Sequence, residues 1–137
     1  RQRQMCIRDR RGPIVMVTNQ WAGSDGDIVA AATQAMGYAK VIGERSWGGV
    51  VGIDGRFDLV DGTSVTQPRY AGWYGSYGWG VENHGVDPDI VVTVSPEDWE
   101  ADRDVQLDAA IAECLRQLDD KPAATAPELP GPAFDRC

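Results

Sequence analysis

The sequence predicts an α/β fold, a layered and mostly parallel sheet with helices packed against it. Three observations carry this reading. Residues 14–44 read as strand, helix, strand, the unit that joins two parallel strands through a crossover helix. A second continuous apolar run of strand length, Ile90 to Val94, follows a turn-rich bend. Beyond it, Leu107, Ala110, Ile111, Cys114, Leu115 and Leu118 recur at helical spacing as one apolar stripe.

The elements follow in order. Ile14-Val15-Met16-Val17-Thr18 is apolar up to its closing threonine, the pattern of a buried strand. Ile28 to Met36 is alanine-rich and favours a helix, and Gly37 ends it. Lys40 to Glu44 is the second strand. Glycines at 48, 49, 52 and 55 make the next stretch a loop or a bent strand. Residues 57–68 alternate loosely, as a hairpin around Asp61-Gly62 would. Residues 70–80 (YAGWYGSYGWG) combine five aromatics with four glycines, large contact area on a backbone that passes closely. Ser95-Pro96-Glu97-Asp98 is a helix start, and a longer helix spans 104–118 with Asp104 and Asp108 toward its N-terminal end. A Pro/Ala-rich tail occupies 120–137.

Composition narrows the function. At 42% hydrophobic and 25% charged residues the chain is globular, which excludes a disordered chain and a coiled coil. No apolar stretch is long enough to span a membrane as a helix. The net charge of −8 argues against a nucleic-acid partner. Residues 1–11 hold five arginines and one aspartate, which leaves −12 on residues 12–137. This basic stretch lacks the apolar core of a signal peptide and contains QMCIRDR, a string seen in translated sequencing adaptors; it reads as a non-native extension. Cys6, Cys114 and Cys137 have neither disulfide-framework nor zinc-ligand spacing, which points to a reducing, cytoplasmic compartment and no metal. No cofactor motif is present.

The strand–GSDGD–helix junction carries the chemistry. A serine at a tight strand-to-helix turn exposes its hydroxyl at the sheet edge. The N–H groups behind it lack helical acceptors and sit at the positive end of the helix dipole. Ser24 is thus a candidate nucleophile and the Asp25 N–H a candidate oxyanion donor. The same residues fit a structural role, since Ser24-x-x-Asp27 resembles a capping box. His84, the single histidine, lies two residues from Glu82 on a bend, a spacing that does not suit a base and its orienter.

The stretch NQWAGSDGDIVAAATQAMGYAKVIGERSWGGVVGI, followed by VENHGVDPDIVV, resembles the C-terminal catalytic region of tricorn-type peptidases in the S41 serine peptidase family. The resemblance covers about residues 12–118. It implies a crotonase- or ClpP-like layout, with 12–119 as the C-terminal part of a catalytic domain. It implies a Ser, His, Ser, Glu tetrad in which Ser24 is the nucleophile, Asp25 contributes its amide to the oxyanion hole, and Glu82, 58 residues on, orients the histidine through the second serine. The family's base histidine and second serine lie upstream of the matched region, so this chain alone is expected to be inactive. The related carboxyl-terminal processing proteases use a lysine where this chain has Gly49, which excludes that dyad. Gly23, Trp73 and Trp79 are candidate substrate contacts. Peptides or unfolded chains are the implied substrates, and a homo-oligomer the implied assembly. The alternative is a non-catalytic binding or oligomerisation module in which Ser24 only caps a helix.

Overall fold

The computed structural model describes residues 12–125. The basic stretch 1–11, Cys6, Cys137 and the end of the tail lie outside the described residues. In chain order the elements are β1 (Val15–Thr18), α1 (Asp25–Met36), β2 (Lys40–Gly43), β3 (Gly52–Asp54), β4 (Gln67–Tyr70), a 3-10 turn (Gly75–Tyr77), β5 (Ile90–Val91), α2 (Pro96–Glu100) and α3 (Val105–Asp120).

The β1–α1–β2 unit forms as its pattern requires. Val15 pairs with Lys40 and Thr18 with Gly43 in parallel register. Gly37 takes the left-handed conformation, φ 64°, and its N–H returns to the carbonyls of Thr33 and Gln34. β5 lies parallel on the other side of β2, giving the order β1-β2-β5. Neighbouring strand residues point to opposite faces. Val41 and Ile42 are both fully buried, so β2 is covered on both sides, by α1 and by α3. Ala30 and Ala31 of α1 form the core with Val50, Val81 and Val86, and Met16, Ile28, Tyr74 and Tyr77 pack against it. Thus two tyrosines of the aromatic run 70–80 serve the core, whereas Trp73 and Trp79 are exposed.

Three expectations are corrected. β1 is half-buried rather than sealed, with Val17 exposed. The run 90–94 pairs only at Ile90 and Val91, because β2 ends at Gly43 and the chain turns away; Val92 still donates to the Gly43 carbonyl. The third concerns α3, which extends to Asp120 and buries Gln106, Ala110 and Glu113. Leu107, Ile111 and Leu115 are each at least half exposed. The reason is local. Small Ala110 allows close approach, Gln106 donates to the Val92 carbonyl, and Glu113 accepts from Arg116 and Gln117. The Gln106 bond to the sheet end and the small Ala110 therefore set the buried face about one residue from the apolar stripe, and Glu113 on that face is satisfied within the helix.

The hairpin around Asp61-Gly62 is present as β3 and β4, antiparallel, on a long arm closed by Leu59 and Thr63. Ser95 and Asp98 form a reciprocal capping box on α2.

In the 137-residue chain, Ile42→Ala is expected to cost about 2–5 kcal/mol in equilibrium denaturation, and Ile111→Ala less than about 0.5 kcal/mol. A pH dependence also follows. Hydrogen bonds from Arg116 and Gln117 hold the Glu113 carboxyl down to about 2. A carboxyl lowered on folding stabilises the fold above its unfolded pKa, and that contribution fades as pH falls toward the folded value. The helical circular-dichroism signal should weaken between about pH 4.5 and pH 2, and Arg116→Met should flatten that limb.

Candidate functional site

After β1 the chain makes a four-residue turn, Gly23-Ser24-Asp25-Gly26, closed by Gly26 N–H donating to the Gly23 carbonyl at 2.9 Å. Ser24 sits at φ 53°, ψ −112°. This is the second position of a type II′ turn, near about +60° and about −120°, where glycine is the usual occupant. A serine held there stores backbone strain of order 1–3 kcal/mol. Its carbonyl accepts the first helical bond, from Ile28 N–H, so the turn is also the start of α1. The Ser24 side chain is exposed and makes no capping bond. Asp25, first residue of α1, presents an N–H that no helical carbonyl can reach. The capping-box expectation for Ser24 and Asp27 is therefore corrected.

Asp27 turns inward instead. It is fully buried, and its carboxylate accepts from Gly48 N–H at 2.8 Å and Gly49 N–H at 3.2 Å. Glu82, from the bend after the aromatic run, continues the pattern. Its Oε2 accepts from Val50 N–H and Val51 N–H, both at 2.7 Å. Two carboxylates thus capture four consecutive amides of one extended strap. The rest of the strap is also accounted for. Ser46 N–H donates to Val86, Trp47 N–H to Ala22, and the Gly48 carbonyl accepts from Asn83. The Gly49 carbonyl accepts from Ser24 N–H at 3.1 Å, which ties the strap to the serine turn. Gly48 has φ +87°, and a methyl group there would press on Gly85 N at 2.5 Å, so the close approach requires glycine. The Trp47 ring lies over Gly23 and Gly49, where a methyl on Gly23 would meet Cε3 at 2.5 Å.

Glu82 lines a cavity of about 350 Å³ with Val51, Ala71, Gly72, Trp79 and Asn83. Its Oε1 has no hydrogen bond among the described residues. Trp79 is therefore a neighbour of Glu82, whereas Trp73 stands outside this cavity. A larger cavity, about 660 Å³, opens at the carboxyl ends of the parallel strands, where Arg45, Trp47 and His84 are among its walls. His84 Nε2 bonds Asp87 Oδ2 at 2.8 Å and engages neither Ser24 nor Glu82. Asp89 accepts from Val41 N–H and faces Lys40. Among the described residues no group of three or more His, Cys, Asp or Glu could hold a metal ion. No helix among them is long and apolar enough to cross a membrane.

The structure brings together Gly23, Ser24, Asp25 and, through the strap, Glu82. Sequence reasoning missed Asp27 as an anchor, and with it Trp47 and Asn83. The one local hint was the spacing of Asp27, three and four residues before the buried Ala30 and Ala31, which puts it on the inward face of α1.

Known proteins resemble this chain in sequence and fold. The profile of peptidase family S41 matches residues 2–92. Tricorn protease homolog 1 of Streptomyces coelicolor is 60% identical over 120 residues, 88% of this chain and 11% of that protein. The tricorn protease of Thermoplasma acidophilum is 47% identical over 108 residues, 79% of this chain and 10% of that protein. The crystal structure of the tricorn protease superposes with a TM-score of 0.77 at 47% identity, covering 80% of this chain and 11% of that one. The chain spans about a tenth of the length of the curated relatives it matches. With a family profile over most of its length and a solved relative of the same fold, the chain belongs to peptidase family S41.

Proposed function

We propose that residues 12–119 form the C-terminal part of the catalytic domain of a serine endopeptidase acting on peptides or unfolded chains. One observation carries the proposal: Ser24 is held in a glycine-like turn conformation at the start of α1, with a hydroxyl that no cap engages. Strain of this kind persists only where the surroundings over-determine it, and it concentrates at functional sites. Family membership supports the same reading.

In this scheme Ser24 Oγ attacks the carbonyl carbon of the scissile amide. Its proton passes to a histidine base contributed by chain outside these 137 residues, since the single histidine here, His84, makes no hydrogen bond to Ser24. The carbonyl oxygen becomes an oxyanion facing the Asp25 N–H at the positive end of α1. The carbon–nitrogen bond then breaks, and the protonated base returns the proton to the leaving amine. Water, deprotonated by the same base, hydrolyses the acyl–serine ester and regenerates Ser24. Glu82 is the orienter: Oε2 is pinned by two amides, and Oε1 is available to a hydroxyl that in turn positions the base. Trp79, which lines the same cavity as Glu82, is the substrate contact in this scheme.

Two outcomes are expected. In the full-length protein, a serine-directed phosphonate should label Ser24, Ser24→Ala should abolish labelling and turnover, and Glu82→Gln should lower kcat roughly 10²–10⁴-fold. Turnover surviving Ser24→Ala would overturn the reading. Thermal or chemical denaturation addresses the cap alternative. Ser24→Ala should change stability by less than about 0.5 kcal/mol, whereas Ser95→Ala, which removes a formed capping box, should cost about 1 kcal/mol.

A further inference from the structure

We propose that Asp27 is a positioning residue for the same reaction, setting the strap 47–51 against the serine turn and thereby the separation of Ser24 from Glu82. The inference rests on the reading of Ser24 as nucleophile and Glu82 as orienter.

Asp27 is fully buried, and its two oxygens take one amide each, Gly48 N–H and Gly49 N–H. Burying a carboxylate is costly unless hydrogen bonds and a favourable potential compensate it. Here both do, because the residue lies in the first turn of α1, where the dipole favours an anion. Ser24 and Asp27 share one rigid turn, since Ser24 supplies the carbonyl for the first helical bond. The start of α1 therefore holds both the nucleophile and the anchor.

From the anchor the path to Glu82 is short and stiff. Gly49 returns its carbonyl to Ser24 N–H, and the next two residues, Val50 and Val51, donate to Glu82 Oε2. Every link is a backbone group or a short bond to a carboxylate. Asparagine at 27 would keep one acceptor and set an NH2 group against the other amide, so one buried N–H would lose its partner and the strap would shift. A misplacement of about 1 Å at a reacting group costs of order 10²-fold in rate.

The test is steady-state kinetics on the full-length protein with Asp27→Asn. The expected result is a kcat lower by about 10–100-fold with KM within about threefold, and phosphonate labelling of Ser24 slowed in parallel. In a Glu82→Gln background, Asp27→Asn should cost little more, because residues acting as a unit are not additive. Thr33→Val serves as the stability control. Thr33 is buried on the same helix and bonds Tyr38 and Met16, so its loss should lower Tm and leave kcat unchanged. Should Asp27→Asn not fold, Asp27→Ser, which leaves room for water at the two amides, is measured in the same way. Parental kcat in the folded variant, or a loss matched by Thr33→Val, would overturn the role of Asp27 and leave the nucleophile standing. Turnover by Ser24→Ala would overturn both.

Discussion

Four consecutive backbone amides, from Gly48 to Val51, have no strand to pair with, and the site is built around how they are satisfied. β2 has ended at Gly43 and β3 begins only at Gly52. A buried N–H without an acceptor costs about 1–3 kcal/mol, so four of them would remove much of the stability of a small domain. The fold supplies two carboxylates instead, one from α1 and one from the bend at 82, each taking a pair. Amides and acids solve each other's problem: the N–H groups gain acceptors, and the acids gain donors that make burial tolerable. Because the acids come from separate elements, the strap fixes α1 relative to the 81–85 bend.

The strained serine depends on this arrangement. A non-glycine residue at φ 53° and ψ −112° would relax if its neighbours allowed it. Three fixed points prevent that. Gly26 closes the turn onto Gly23, Ile28 takes the Ser24 carbonyl into α1, and Gly49 takes the Ser24 N–H into the strap. Each point belongs to a different feature, the turn, the helix and the strap. The side chain is the one part of Ser24 left without a structural task, which is the condition a nucleophile needs.

Much of the fold was legible in the sequence, and the failures share a cause. The β1–α1–β2 unit, the Gly37 cap and the Ser95 helix start are local, written in periodicity and end chemistry. The length of β5 was not, because it depends on where another strand turns away. The buried face of α3 was misread because Gln106, polar by type, is held by a bond to the Val92 carbonyl of a separate segment, which periodicity does not encode. Ser24, Asp25 and Glu82 are candidates that motif and resemblance single out. Asp27 is not among them, since its role needs Gly48 and Gly49, some twenty residues away, to fold back onto α1. An acid at the first turn of a helix has an adequate local explanation, and that explanation concealed the tertiary one.

The two oxygens of Glu82 are not equivalent. A solvated carboxylate shares its acceptor capacity between two equivalent oxygens. Here Oε2 takes both strap amides, and Oε1, beside a cavity walled by Trp79 and Asn83, takes none among the described residues. The demand of the strap thus falls on one oxygen of the side chain alone. Because the donors are consecutive backbone amides, Val50 and Val51, the position of Oε2 follows the strap rather than solvent. Two bonds to fixed backbone amides thus hold this carboxyl group without any contribution from Oε1.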